Sequence, residues 1–96
     1  MTSVRWTHSA RRDYRNVLEW LNDRNPTAAT RTADRIDDRL ALLARMPQMG
    51  RSGRVEGTRE LVISRTRYLV VYRFEETTDQ ILIVRLLHGA QRWPPG

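Results

Sequence analysis

Two imidazoles and seventeen guanidinium groups are the chemically active groups of this chain, and neither lysine nor cysteine accompanies them. Without cysteine there is no thiolate nucleophile, no disulfide framework and no Cys-based zinc site. Without lysine there is no amine whose pKa can be lowered to make a general base, whereas a planar, permanently charged guanidinium is suited to phosphate and carboxylate. His88 closes the apolar run that precedes Gly89, with Arg85 three residues before it. An unperturbed imidazole titrates near pH ~6.5, and positioned acid–base help is worth roughly 10²- to 10⁴-fold. His88 is therefore the candidate proton-transfer group; the other reading is a strand-end ring that satisfies a local hydrogen bond and fixes the tail. His8 lies too far from His88 in sequence to suggest a metal site, and the chain has no Gly-rich phosphate loop, GxSxG elbow, HExxH helix or acidic calcium loop. No metal or cofactor is expected.

The seventeen basic residues outnumber eleven acidic ones, for a formal charge of +6. Such a balance favours an anionic partner, either nucleic acid or an acidic protein. Arg51 and Arg54 stand in a Gly-flanked stretch that reads as an exposed loop, so they are expected to contact a partner. Arg59 either joins that basic rim or pairs with Glu60 or a nearby Asp and holds the loop. Trp93, just before Pro94 and Pro95, either stacks on a base or anchors the tail.

These groups need elements to hold them. At 96 residues the chain bounds one domain with one modest core. It contains no apolar run long enough to cross a bilayer and no apolar h-region near its N-terminus, and a cytoplasmic setting is expected. Residues 3–7 alternate like a short half-buried strand. Ser9 can cap a helix along which Ala10, Tyr14, Val17, Leu18 and Leu21 form one stripe, ending near Asn22 and Asp23. Asn25-Pro26 then supplies a cap and a first-turn proline for a second helix with Ala29, Ala33, Ile36, Leu40 and Leu43 inward. Its small alanines allow close approach, which predicts an antiparallel helix hairpin. After Met46-Pro47-Gln48-Met49-Gly50, residues 51–57 read as loop. Three strands follow at 58–64, 68–75 and 80–87, separated by hairpin-length breaks. The expected fold is α+β, in the order β-α-α-β-β-β, with a mainly antiparallel sheet, the hairpin on one face and the other face free. If the helices cover the Tyr72 face, alternation puts Arg73 on the open side.

The runs "GRVEGTRELVI", "YLVVYRF" and "ILIVRLLHGAQRWP", after a hairpin containing "NPTAAT" and ending "MPQMGR", resemble the RelE/ParE superfamily of toxins from bacterial type II toxin–antitoxin pairs. The similarity covers nearly the whole chain in the element order just derived. It implies a small toxin neutralised by a cognate antitoxin whose disordered segment wraps it, with operator DNA bound only through the toxin–antitoxin complex. Two targets are implied. RelE-like members cleave mRNA on the ribosome, which requires a base at the 2′-hydroxyl, a cation at the phosphorane and an acid for the leaving oxygen. On that branch His88, Arg85 and Arg59 are the candidate catalytic residues. ParE-like members poison DNA gyrase, and Arg51, Arg54, Arg67, Arg73 and Trp93 are then candidates for contact with target or antitoxin. Many RelE-like nucleases read Tyr-Arg-Val-x-Tyr in the third strand, but this chain reads Tyr68-Leu69-Val70-Val71-Tyr72. The missing arginine and lysines favour gyrase over mRNA. A plain nucleic-acid-binding regulatory module is the third reading, and it rests on charge alone.

Overall fold

A computed structural model describes residues 2–95. Strand β1 (Ser3–Trp6) leads into helices α1 (His8–Arg24) and α2 (Pro26–Arg45), followed by β2 (Arg51–Ser52), β3 (Arg59–Val62), β4 (Tyr68–Glu75) and β5 (Gln80–His88). The sheet order is β1-β5-β4-β3-β2. Only β1 runs parallel to its neighbour, β5. Chain reversal through the α1–α2 hairpin accounts for this, because a parallel pair needs a long crossover.

Thr7, rather than Ser9, caps α1. Its Oγ1 accepts from Ala10 N at 3.0 Å and donates to Val84 O at 2.9 Å, so the same hydroxyl both caps the helix and ties its start to β5. Ser9 lies inside the first turn, past the capping position. At the second helix, Asn25 Oδ1 accepts from Ala28 N at 3.2 Å, with Pro26 in the first turn as expected. The hairpin buries Ala10, Ile36, Leu40 and Leu43 against Val70, Tyr72, Ile81 and Ile83. Tyr72 pins the end of α2: its hydroxyl accepts from Gly50 N at 2.9 Å and donates to Pro47 O at 2.8 Å. A Cβ at Gly50 would lie 2.7 Å from the Tyr72 ring, so the close approach requires glycine.

Two features depart from the expected pattern. Residues 51–57 are not wholly loop, because Arg51 and Ser52 pair with Glu60 and Arg59 as an edge strand. The β4–β5 register also shifts: Val71 faces Arg85 while Tyr72 faces Ile83, leaving Val84 as a bulge. Strict alternation from Ile81 and Ile83 would turn residue 85 toward the helices. The extra residue instead gives that place to Leu86 and sends Arg85 and Leu87 to the opposite face. That face is not bare. Trp93 packs there on the cluster of Leu69, Val71 and Leu87, with Val84 beside it.

Candidate functional site

A cleft of about 730 Å³ opens between the hairpin tip, the β3–β4 turn and the end of β5. Val17, Leu21, Ala28 and Tyr68 form apolar walls, and Trp20, Arg31, Arg35, Arg65, Arg67 and His88 also line it. Neither Asp nor Glu is among the lining residues. Of its four arginines only Arg35 makes a side-chain hydrogen bond among the described residues, from Nη1 to the Arg65 carbonyl at 3.0 Å. The cleft is therefore a basic, partly apolar depression, suited to carboxylate or phosphate. Trp20 is 53% exposed, with the Arg24 guanidinium 4.0 Å from its ring centroid.

His88 reaches this cleft from the end of β5. Its Nδ1 accepts from Ala90 N at 3.0 Å, which leaves Nε2 to carry the proton of the neutral ring. Tyr68, its direct partner on β4, meets it edge to face at 5.6 Å between centroids. His88 O also accepts from Gln91 N at 2.9 Å, and Arg67 O accepts from Gly89 N at 2.7 Å. The imidazole thus lines the cleft and at the same time shapes the turn that leads the tail away from β5.

The other candidate catalytic groups lie elsewhere. Arg85 leaves β5 on the side away from Leu86 and turns to the strand's open edge, where Asp13 of α1 grips it through Nε at 2.6 Å and Nη2 at 3.0 Å. The same carboxylate accepts from Leu86 N at 3.0 Å, capping the β5 edge beyond the reach of β1. The charge-assisted bond to Asp13 holds the Arg85 pKa above its ordinary value, against the opposing effect of burial. Arg59 pairs with Tyr72, whereas His88 pairs with Tyr68. Those positions are four residues apart along β4, a separation of roughly 13 Å at strand rise. Arg59 donates to the Gln48 carbonyl at 3.1 Å and the Gly50 carbonyl at 2.9 Å, stapling the α2–β2 connection. His88, Arg85 and Arg59 do not form one cluster.

The remaining arginines divide between two surfaces. Arg67 lies on the cleft. Arg51, Arg54 and Arg73 gather with Trp93 on the far face of the sheet, around Glu60, whose side chain is only 1% exposed. Glu60 Oε1 accepts from Arg51 at 3.1 Å and from Arg54 at 3.3 Å, and Oε2 accepts from Arg54 N at 3.0 Å. Burial raises its pKa, but the Arg54 amide and the two guanidiniums outweigh that effect and hold the carboxyl below its usual range. Arg73 Nη1 lies 3.4 Å from the Glu56 carbonyl. Trp93 packs as a tail anchor, with the Arg85 guanidinium 5.4 Å from its ring centroid.

Sequence reasoning did not single out Asp13, Trp20 or Arg65; it offered Glu60 only as a partner for Arg59, and Arg31 and Arg35 only as part of the outward face of the second helix. Trp20 carried a signal, since it falls outside the apolar stripe of α1. Nothing local to Asp13 announces a partner 72 positions away. Among the described residues no group of three or more His, Cys, Asp and Glu gathers as a metal site, and no helix is long and apolar enough to cross a membrane.

Residues 4–93 match the family described as ParE toxin of type II toxin–antitoxin system, parDE. Toxin RelE3 of Caulobacter vibrioides is 34% identical over 92 residues, covering 96% of this chain and 99% of that one. Toxin RelE1 of the same organism is 30% identical over 83 residues, covering 86% of this chain and 88% of its own length. Among solved structures, the chromosomal ParDE system of P. aeruginosa superposes with a TM-score of 0.78 at 23% identity, covering 92% of this chain and 96% of that one, a likeness of fold. Matched over residues 4–93 by that family model and over 96% of its length by a relative 34% identical to it, this chain belongs to the ParE toxin family of type II toxin–antitoxin systems.

Proposed function

We propose that this toxin arrests growth by a ParE-like inhibition of DNA gyrase, without bond-breaking chemistry of its own. One observation carries the choice: the three groups that the sequence offered for RNA cleavage are dispersed. Arg85 is bound to Asp13 at the open edge of β5, Arg59 is spent on two carbonyls at the far end of β3, and His88 sits on the cleft. General acid–base cleavage needs those groups within hydrogen-bond reach of a single phosphate. Inhibition by binding needs only a surface, and the acid-free cleft walled by Trp20 and four arginines is of that kind. Expression of the toxin should produce gyrase-dependent DNA breaks and a damage response, and the purified protein should inhibit supercoiling.

Ribosome-dependent mRNA cleavage is the second reading, because Tyr68, His88 and Arg67 line the same cleft. It predicts mRNA cut within codons on ribosomes and loss of cutting in His88→Ala with the fold intact. That pair of results would replace the gyrase reading.

A cognate antitoxin neutralises the toxin in the cytoplasm by folding an acidic, amphipathic segment on its surface, and the charge of +6 supports such a partner. The complex binds its operator through the antitoxin. Operator binding undiminished when the antitoxin is removed would contradict this arrangement.

A further inference from the structure

We propose that the cleft between the hairpin tip and the β3–β4 turn is a binding site for a free nucleoside triphosphate, with the base against Trp20 and the phosphates held by the guanidiniums of Arg31, Arg35, Arg65 and Arg67. The inference goes beyond the choice of target and does not rest on it.

The charge of the cleft calls for a polyanion. Arg31 and Arg35 stand on α2, Arg65 and Arg67 stand on the β3–β4 turn, and neither Asp nor Glu is among the residues lining the space between them. Arg35 Nη1 donates to the Arg65 carbonyl at 3.0 Å and joins the two walls there. The other three make no side-chain hydrogen bond among the described residues, so their donors are free for a phosphate chain. The turn holds Arg65 at a φ of 63°, where glycine or asparagine is the easier residue, so a guanidinium on this wall comes at a cost in local strain. Planar guanidiniums bind phosphate oxygens two at a time, and a single phosphate would leave most of these donors unanswered.

The apolar and neutral polar groups call for a base on that polyanion. Trp20 is 53% exposed, with Arg24 over one face of its ring, and stands beside Val17 and Leu21 as an aromatic platform. The cleft, at about 730 Å³, is within the range of about 300–1,000 Å³ that small-molecule sites occupy. Thr32 lines it at 7% exposure with a hydroxyl that has no hydrogen-bond partner among the described residues, and Asn16 on α1 likewise keeps its amide free. Base edges and ribose hydroxyls satisfy such groups, whereas an acyl chain would leave them unpaired. A nucleic-acid strand needs basic charge along a groove. Here the arginines converge on one cleft, and the neighbouring depression on the hairpin has Glu19 and Asp34 in its lining.

The probe is ATP, titrated by calorimetry into the full-length toxin at physiological ionic strength and mapped by NMR of the Trp20 indole, the Val17 and Leu21 methyl groups and the Tyr68 ring. Adenosine, inorganic tripolyphosphate and a single-stranded RNA octamer are the comparison ligands. One saturable site is expected, with shifts at those groups and none at Trp93, and with adenosine and tripolyphosphate each binding at least about tenfold more weakly than ATP. Trp20→Ala should bind ATP about fivefold more weakly or worse and bind tripolyphosphate as the parent does. Arg31→Glu with Arg67→Glu should weaken ATP binding by about tenfold or more. Arg12→Glu with Arg45→Glu makes the same change of charge outside the cleft and should leave ATP binding within about twofold of the parent, because remote surface charges are screened. Equal affinity for tripolyphosphate and ATP, equal losses in the two double variants, or no ATP bound would each overturn the inference. So would displacement of ATP by the RNA octamer at a lower concentration than ATP itself requires, which would give the cleft to a nucleic-acid strand. If the cleft double variant does not fold, the wild-type titration with its comparison ligands and Trp20→Ala decide the matter.

Discussion

At the scale of single residues, the side chains that matter are those with more than one partner. Tyr72 is fully buried and its hydroxyl joins Gly50 N to Pro47 O. Tyr72→Phe leaves that amide and carbonyl unpaired and should destabilise the fold by about 1–3 kcal/mol in denaturant titration. A loss near zero would mean the two groups find other partners. Glu60 sets a pH dependence. Its carboxyl is depressed in the folded state, so its contribution to stability is complete above the ordinary carboxylate value of 4.5 and declines as pH falls through the lower folded value. Stability measured from pH 6 downward should therefore fall less steeply in Glu60→Gln than in the parent, although the variant starts from lower stability at pH 6. Parallel curves would mean that Glu60 titrates alike in folded and unfolded chains. The double use of Glu60 by Arg51 and Arg54 could not be read from their spacing. Sequence offered Arg59 as a partner of Glu60, but neighbours along a strand point to opposite faces, and Arg59 turns to the α2–β2 connection instead.

At the scale of elements, the hairpin and sheet are joined at two places that the hydrophobic pattern does not mark. One is Thr7, which caps α1 and binds Val84 O. The other is Asp13, which closes the free edge of β5 at Leu86 N and holds Arg85. Asp13→Asn keeps the shape but loses the charge-assisted pair, and should lower stability by about 1–3 kcal/mol, with earlier amide exchange at Leu86 than elsewhere in β5. Unchanged protection of Leu86 would assign the clamp to Thr7 alone. The second helix is simpler. Asn25→Ala removes its cap and should cost about 1 kcal/mol, seen as a lower denaturation midpoint with unchanged slope. Here the sequence was fully legible, since Asn-Pro before an apolar stripe is a local signal. The bulge at Val84 was not, because β-branched residues fit regular and bulged strands alike, and only the pairing with β4 exposes the extra residue.

At the scale of the molecule, charge is distributed rather than uniform. Arg31, Arg35, Arg65 and Arg67 surround the cleft at one end of β4, while Glu75, Glu76 and Asp79 lie at the β4–β5 turn at the other. Association with an acidic partner should be steered by this asymmetry. Its association rate should fall steeply as salt rises from low to physiological ionic strength, and Arg31→Glu with Arg67→Glu should flatten the dependence. An association rate indifferent to salt would argue that the apolar walls alone drive the encounter. The sequence by itself determined the family, the element order, the hairpin cap and the excess positive charge, because each is written in local spacing or composition. Tertiary structure decided which arginines remain available, what covers the far face of the sheet and that His88, Arg85 and Arg59 stand apart. Those outcomes depend on a single extra residue in β5 and on contacts between positions such as Asp13 and Arg85, Arg54 and Trp93, or Arg59 and Gln48, which are brought together only when the sheet and hairpin close around one core.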